Sequence, residues 1–202
     1  LPGNHRYQPK DLQECFGYDN LFRPVAEVEI ATMRTLAEIG IIPESDIAQL
    51  TPEIEQQLLS ISTTEVDDLE RRVTKHDIRA LVRIIQEIIP ENLRRWVHVP
   101  LTSYDPLETG RIFQYTRAHK QVISPKIKEV IRIFVGLVRK YADALQIGRT
   151  HGQHAIPITV GFWLATVLNR IIYNSKQIDS FTAGLVGKIS GAVGANNAVY
   201  GL

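Results

Sequence analysis

The sequence predicts an all-α chain, with an N-terminal helical domain over residues 1–100 followed by the first part of a long-helix bundle domain over residues 101–202. Three observations carry that expectation. Apolar residues recur at helical spacing through most of the chain, while the strict alternation of a half-buried strand is scarce. Two of the apolar patterns, 108–145 and 157–181, are long enough for bundle helices. Between the two regions, Trp96-Val97-His98-Val99-Pro100-Leu101 is short, extended in character and stopped by proline, which marks a boundary.

Taken in order, the opening segment to Phe22 interleaves Tyr7, Phe16 and Tyr18 with Pro9, Gly17 and Asn20, and reads as loop with a turn of helix. From Pro24, the residues Val25, Val28, Ile30, Met33, Leu36 and Ile39 follow a helical period, with Gly40 where a left-handed cap belongs. Pro43-Glu44-Ser45-Asp46 opens a short helix, and Thr51-Pro52-Glu53 pairs an N-cap with proline at the first helical position. Residues 66–87 read as helix again, with a break expected at Val73 to Asp77, and Pro125 predicts a kink within 108–145. The apolar faces of the two long patterns are wide, so further helices, from the same protein or from neighbouring subunits, should cover them.

With 23 basic and 22 acidic side chains the net charge is +1, which gives no field for a polyanion or a membrane surface. Nucleic acid is therefore not the expected partner. Cys15 is the one cysteine, which excludes an intrachain disulfide and a thiolate zinc cluster and suits a reducing compartment. No apolar run approaches the ~20 residues that span a bilayer, and Leu1-Pro2-Gly3-Asn4-His5 has neither a basic nor an apolar leader character. A cytoplasmic location without membrane partners is expected. Leu1 in place of an initiator methionine, and an end just after a glycine-rich turn, predict a fragment of a longer protein.

Four polar clusters stand out. Gly148-Arg149-Thr150-His151-Gly152-Gln153-His154 lies between the two long patterns, where a histidine with an adjoining glycine can be aimed into a cleft. An imidazole near its operating pH makes His151 a candidate general acid. A metal shared by His151 and His154 is rejected, because Gly152 and Pro157 argue against a regular helix and two imidazoles alone make a poor site. Thr74-Lys75-His76-Asp77 follows a charged run that is most simply a solvated helix face. Thr102-Ser103-Tyr104-Asp105 offers hydroxyls and amides at a helix start that favours an anion, but it is equally what ordinary capping looks like. Gly187-Lys188-Ile189-Ser190-Gly191-Ala192-Val193-Gly194 fails the phosphate-loop spacing and suits a substrate-lining loop or a hinge.

In order and interval, these clusters resemble the T-R-H-D-V, L-T-S-x-D, G-R-T-H-x-x-H-A and G-K-I-S-G-A-V-G elements of bacterial-type adenylosuccinate lyase, in the fumarase/aspartase superfamily. Arg6-Tyr7 is similar to that family's N-terminal Arg-Tyr pair. Other branches fit less well: fumarase and aspartase prefer S-x-N-D at Thr102-Ser103, argininosuccinate lyase differs around His151, and the carboxymuconate cycloisomerases usually lack that histidine.

The resemblance implies three mostly helical domains, and a homotetramer whose active sites draw residues from three subunits. It implies cleavage of a nucleotide substrate, adenylosuccinate, to AMP and fumarate, and of the succinyl-carboxamide nucleotide of purine synthesis, by β-elimination with no cofactor and no metal. Under it, His151 is the general acid and His76 binds and orients substrate. Lys75 and Asp77 line the nucleotide pocket, Thr102 and Ser103 hold a succinyl carboxylate, and Arg6 with Tyr7 contacts the phosphate. The serine base is expected on a loop after Leu202. Lys75 stands where the family has Arg, losing bidentate geometry, and Tyr104 is bulkier than the common Thr. The alternatives are another lyase of the superfamily or, for the fragment itself, a catalytically incomplete helical assembly module.

Overall fold

The computed structural model describes Tyr7 and residues 9–201. The chain divides into two compact units, one of Leu1–Tyr115 with Val186–Leu202 and the other of Thr116–Leu185. Both are built mainly of helices, and the sequence's all-α reading holds apart from one two-stranded hairpin.

In the first unit, α1 (Lys10–Phe16) leads to α2 (Arg23–Glu38), which buries Val25, Val28, Ile30, Met33 and Leu36 as the periodicity requires. Gly40 takes the left-handed conformation, φ 82°, and the Ile41 amide returns to Leu36 O at 2.8 Å, closing the helix end. The helices α3 (Glu44–Ile47) and α4 (Pro52–Leu59) follow, the latter capped by the Thr51 hydroxyl. A full capping box of Ser62 and Glu65 starts α5 (Thr63–Leu69). The expected break then takes physical form. Glu70–Thr74 widens into a π turn, Lys75 is left-handed at φ 54°, and α6 (Asp77–Ile88) restarts with His76 as its N-cap. On α6 the exposed residues Arg79, Arg83 and Glu87 lie four apart, opposite buried Ile78, Leu81 and Ile85. These join Met33, Ile42, Leu58 and Leu93 in one continuous core. A 3₁₀ turn over Glu91–Trp96 precedes the extended Val97 and the cis Val99–Pro100 peptide, after which α7 (Tyr104–Arg117) begins.

The second unit holds a π turn over Ala118–Ile123, α8 (Ser124–Lys140) and α9 (Val160–Ala183). Pro125 lies in the first turn of α8, directly after the π turn, so the irregularity expected of it falls just upstream. The two helices are antiparallel: His119 Nε2 meets Asp179 Oδ1 at 2.6 Å at one end, and the Gly161 amide donates to Tyr141 O at 2.8 Å at the other. Their connection corrects the sequence reading, which ran helix to residue 145 and began the next at 157. It is an antiparallel hairpin of β1 (Leu145–Thr150) and β2 (Gln153–Thr159). Its register slips between Ile147 and Arg149, and at Gly148 a Cβ would lie 2.8 Å from Ile156 O, so the bulge requires glycine. A short helix, α10 (Asn197–Tyr200), closes the described part of the first unit.

Candidate active site

Within the first unit, three of the sequence clusters come together. The first is the α6 N-terminus. His76 is the N-cap in extended conformation, φ −159°, so its side chain does not diverge from that of Asp77 as two helical neighbours would. His76 Nδ1 lies 3.2 Å from Asp77 Oδ1 and 3.5 Å from the Arg79 amide that it caps. His76 Nε2 lies 3.4 Å from Ser103 Oγ, joining the second cluster to the first. Thr74 Oγ1 donates to His76 O at 2.8 Å, and the Lys75 ammonium folds back onto Arg71 O.

The second cluster is organised by Asp105, which is 1% exposed. Its Oδ2 accepts the Thr102 amide at 2.8 Å, the carboxylate half of a capping box, and its own amide donates to the Thr102 carbonyl O at 2.8 Å. Thr102 N–H is thereby occupied, which leaves its hydroxyl and the Ser103 amide and hydroxyl as donors. The third cluster closes on the same carboxylate. The Lys188 ammonium and the amides of Ser190 at 3.2 Å and Gly191 at 3.3 Å all converge on Asp105 Oδ1. Burial pushes the Asp105 carboxyl up, but the hydrogen bonds from Lys188, Thr102 and Ser190 and the Lys188 charge outweigh it and hold it below the ordinary aspartate value. One turn further along α7, Thr109 Oγ1 accepts the Lys188 amide and donates to Lys188 O, both at 2.9 Å. A Cβ at Gly187 would lie 2.9 Å from the Thr109 side chain, so this approach also depends on glycine.

In the second unit, His151 occupies the tip of the β1–β2 hairpin, exposed, at φ 53° and followed by Gly152 at φ 72°. Thr150 pairs with Gln153, so the connection has two residues, and two successive positive φ values are the signature of a type I′ turn. The histidine is therefore presented by a tight, rigid loop. Tyr7 is exposed, and Arg6 lies outside the described residues. Among the described residues, no three His, Cys, Asp or Glu are grouped to hold a metal ion, and no helix is long and apolar enough to cross a membrane.

The family model described as Lyase matches residues 11–200. The chain belongs to the lyase family. Within it, this lyase chain stands in the fumarase/aspartase superfamily as the sequence motifs indicate. It is 32% identical over 191 residues to the adenylosuccinate lyase of Streptococcus mutans, covering 94% of this chain and 42% of that protein. It is also 32% identical over 201 residues to the adenylosuccinate lyase of Archaeoglobus fulgidus, covering 98% of this chain and 43% of that protein. The lyase chain thus spans less than half the length of these relatives. Among solved structures it resembles a fumarate lyase from Mesorhizobium sp. BNC1, with a TM-score of 0.84, 26% identity, and 98% of this chain and 46% of that chain covered. The β-carboxy-cis,cis-muconate cycloisomerase from Acinetobacter calcoaceticus shares the fold, with a TM-score of 0.82 at 23% identity over 95% of this chain and 45% of that chain.

Sequence reasoning about the lyase chain passed over two groups. Asp105 was read as part of a cap, and nothing in one sequence foretells that Lys188 and Ser190, more than eighty residues away, share its carboxylate. The other group is Glu29, 1% exposed, which accepts the His98 amide at 3.0 Å and meets His98 Nδ1 at 2.7 Å. A signal for it existed: Glu29 sits four residues after Val25 and four before Met33, on the apolar stripe of α2, where a carboxylate demands a partner. The pair fixes His98, itself left-handed at φ 66°, just before Pro100 and the Thr102-Ser103 turn.

Proposed function

We propose that the full-length protein is an adenylosuccinate lyase, cleaving adenylosuccinate to AMP and fumarate and acting likewise on the succinyl-carboxamide nucleotide of purine synthesis. The observation that carries this reading is the meeting, in one compact unit, of His76, Ser103 and the 188–191 loop, three motif elements scattered over more than a hundred residues. The relatives named adenylosuccinate lyase support it.

In this reading Thr102 and Ser103 receive a carboxylate of the succinyl group, His76 orients the substrate beside Ser103, Lys75 and Asp77 line the nucleotide pocket, and Arg6 with Tyr7 contacts the phosphate. A base supplied by a segment outside residues 1–202 removes the proton beside one succinyl carboxylate, and the charge that develops is held by fixed donors. As the C–N bond breaks, its electron pair goes to the departing nitrogen, which His151 protonates, and fumarate leaves. No cofactor or metal takes part. The protein works in the cytoplasm as a homotetramer that builds each site from several subunits.

The test is to incubate the full-length protein with adenylosuccinate and follow AMP and fumarate. Matched formation of both products is expected. No turnover of adenylosuccinate alongside cleavage of another fumarate-yielding substrate would favour a different lyase of the superfamily. Assembly with neither binding nor turnover would leave a helical assembly module.

A further inference from the structure

We propose that Asp105 is a positioning residue: its buried carboxylate is the latch that holds the Thr102-Ser103 turn and the Lys188–Gly191 turn together as one preformed wall for a carboxylate-bearing substrate. The proposal rests on the lyase reading above for the identity of that substrate. The latch itself rests on geometry. One carboxylate receives the Thr102 amide on Oδ2, the Lys188 ammonium and the Ser190 amide on Oδ1, and the Gly191 amide at 3.3 Å from both oxygens. Lys188 Nζ also donates to Gly191 O at 2.7 Å, and Thr109 ties the Lys188 backbone at both its amide and its carbonyl.

Two consequences follow for the site. The Lys188 ammonium is committed to Asp105 and Gly191 O, so this lysine cross-links two turns and is not a free cation for a substrate phosphate. The donors remaining on Thr102 and Ser103 have their positions set by Asp105, because the Thr102 backbone is anchored to it from both sides. Charge-assisted hydrogen bonds to a buried carboxylate are strong enough to hold a turn against solvent, and supporting groups of this kind set how well a binding shell is preorganised.

Asp105→Asn in the full-length protein separates these functions. Asparagine keeps the shape but turns one acceptor oxygen into a donor, so at least one of the two turns loses its anchor. Peptide-level hydrogen exchange across residues 100–105 and 187–193 should rise, while exchange over α2 and α6 stays as in the wild type. Fumarate affinity and KM for adenylosuccinate should each worsen by on the order of tenfold to a hundredfold, the weight of hydrogen bonds to a charged group, with a smaller fall in kcat. Lys188→Met, which leaves the three amide bonds in place, should shift KM in the same direction by less. Should Asp105→Asn unfold the protein, that second variant carries the test. Unchanged exchange in both segments, or a loss confined to kcat with KM and fumarate affinity intact, would overturn the proposal. A wild type inert to adenylosuccinate, with variants that show the predicted exchange and fumarate effects, would keep the latch and remove the adenylosuccinate reading.

Discussion

At the scale of single residues, the strained positions are informative. Of the four non-glycine residues with positive φ among those described, Lys75, His98 and His151 lie in or beside the motif segments. Backbone held in such conformations persists where the surroundings over-determine it, and it gathers at functional sites. For His151 as the proton donor, His151→Ala in the full-length enzyme should lower kcat by ~10²- to 10⁴-fold with KM nearly unchanged. His76→Ala should raise KM as well, because His76 adjoins Ser103 and caps α6. Steady-state kinetics on adenylosuccinate decide both. Asp105 makes a separate prediction for acid. Its folded-state pKa lies below the unfolded value, so the stability it contributes is complete above roughly pH 4 and is lost as pH falls through the folded value. Thermal melts of the wild type should therefore drop more steeply below that pH than those of Asp105→Asn. The motif residues of this site were legible because each sits in a compact local word. The Asp105–Lys188 and Glu29–His98 pairs were not, since they are bonds across long stretches of chain that only folding brings together.

At the scale of elements, the helices were legible wherever apolar spacing and a cap agreed, as at α2 with Gly40, α4 with Thr51-Pro52, and the break before α6. The β1–β2 hairpin was missed for a physical reason. Its strands are mostly exposed, so no buried face imposes an alternation of apolar and polar residues, and the turn word is His-Gly in place of the commoner Asn-Gly or Asp-Gly. Where the hairpin meets the helices, glycine decides the packing. A Cβ at Gly161 would lie 2.7 Å from Ala142 Cα and 2.8 Å from both Tyr141 O and Val138 O, so α9 begins in direct backbone contact with the end of α8. Gly161→Ala must push the two apart. A loss of ~1–3 kcal/mol is expected, as for overpacked sites, and chemical denaturation measures it. A stability equal to that of the wild type would show that the helix start relaxes without strain.

At the scale of the whole molecule, the second unit leaves much apolar surface uncovered. No residue of α8 is buried, and Phe162, Trp163, Tyr173 and Phe181 on α9 are each more than half exposed. A surface of that kind calls for partners, which in the proposed function are the corresponding helices of neighbouring subunits. Trp163→Glu combined with Tyr173→Glu should then shift the full-length protein from tetramer to smaller species in sedimentation, and an unchanged tetramer would place the interface elsewhere. The hairpin tip carries a different lesson, about selection. His151 holds a left-handed conformation, φ 53°, that asparagine tolerates better, and in the proposed function that burden is borne for the sake of its imidazole. His151→Asn should melt at a higher temperature than the wild type while its turnover collapses. Under the proposed function, a screen for heat resistance alone would therefore favour the very substitution that a screen for growth without external purines would discard.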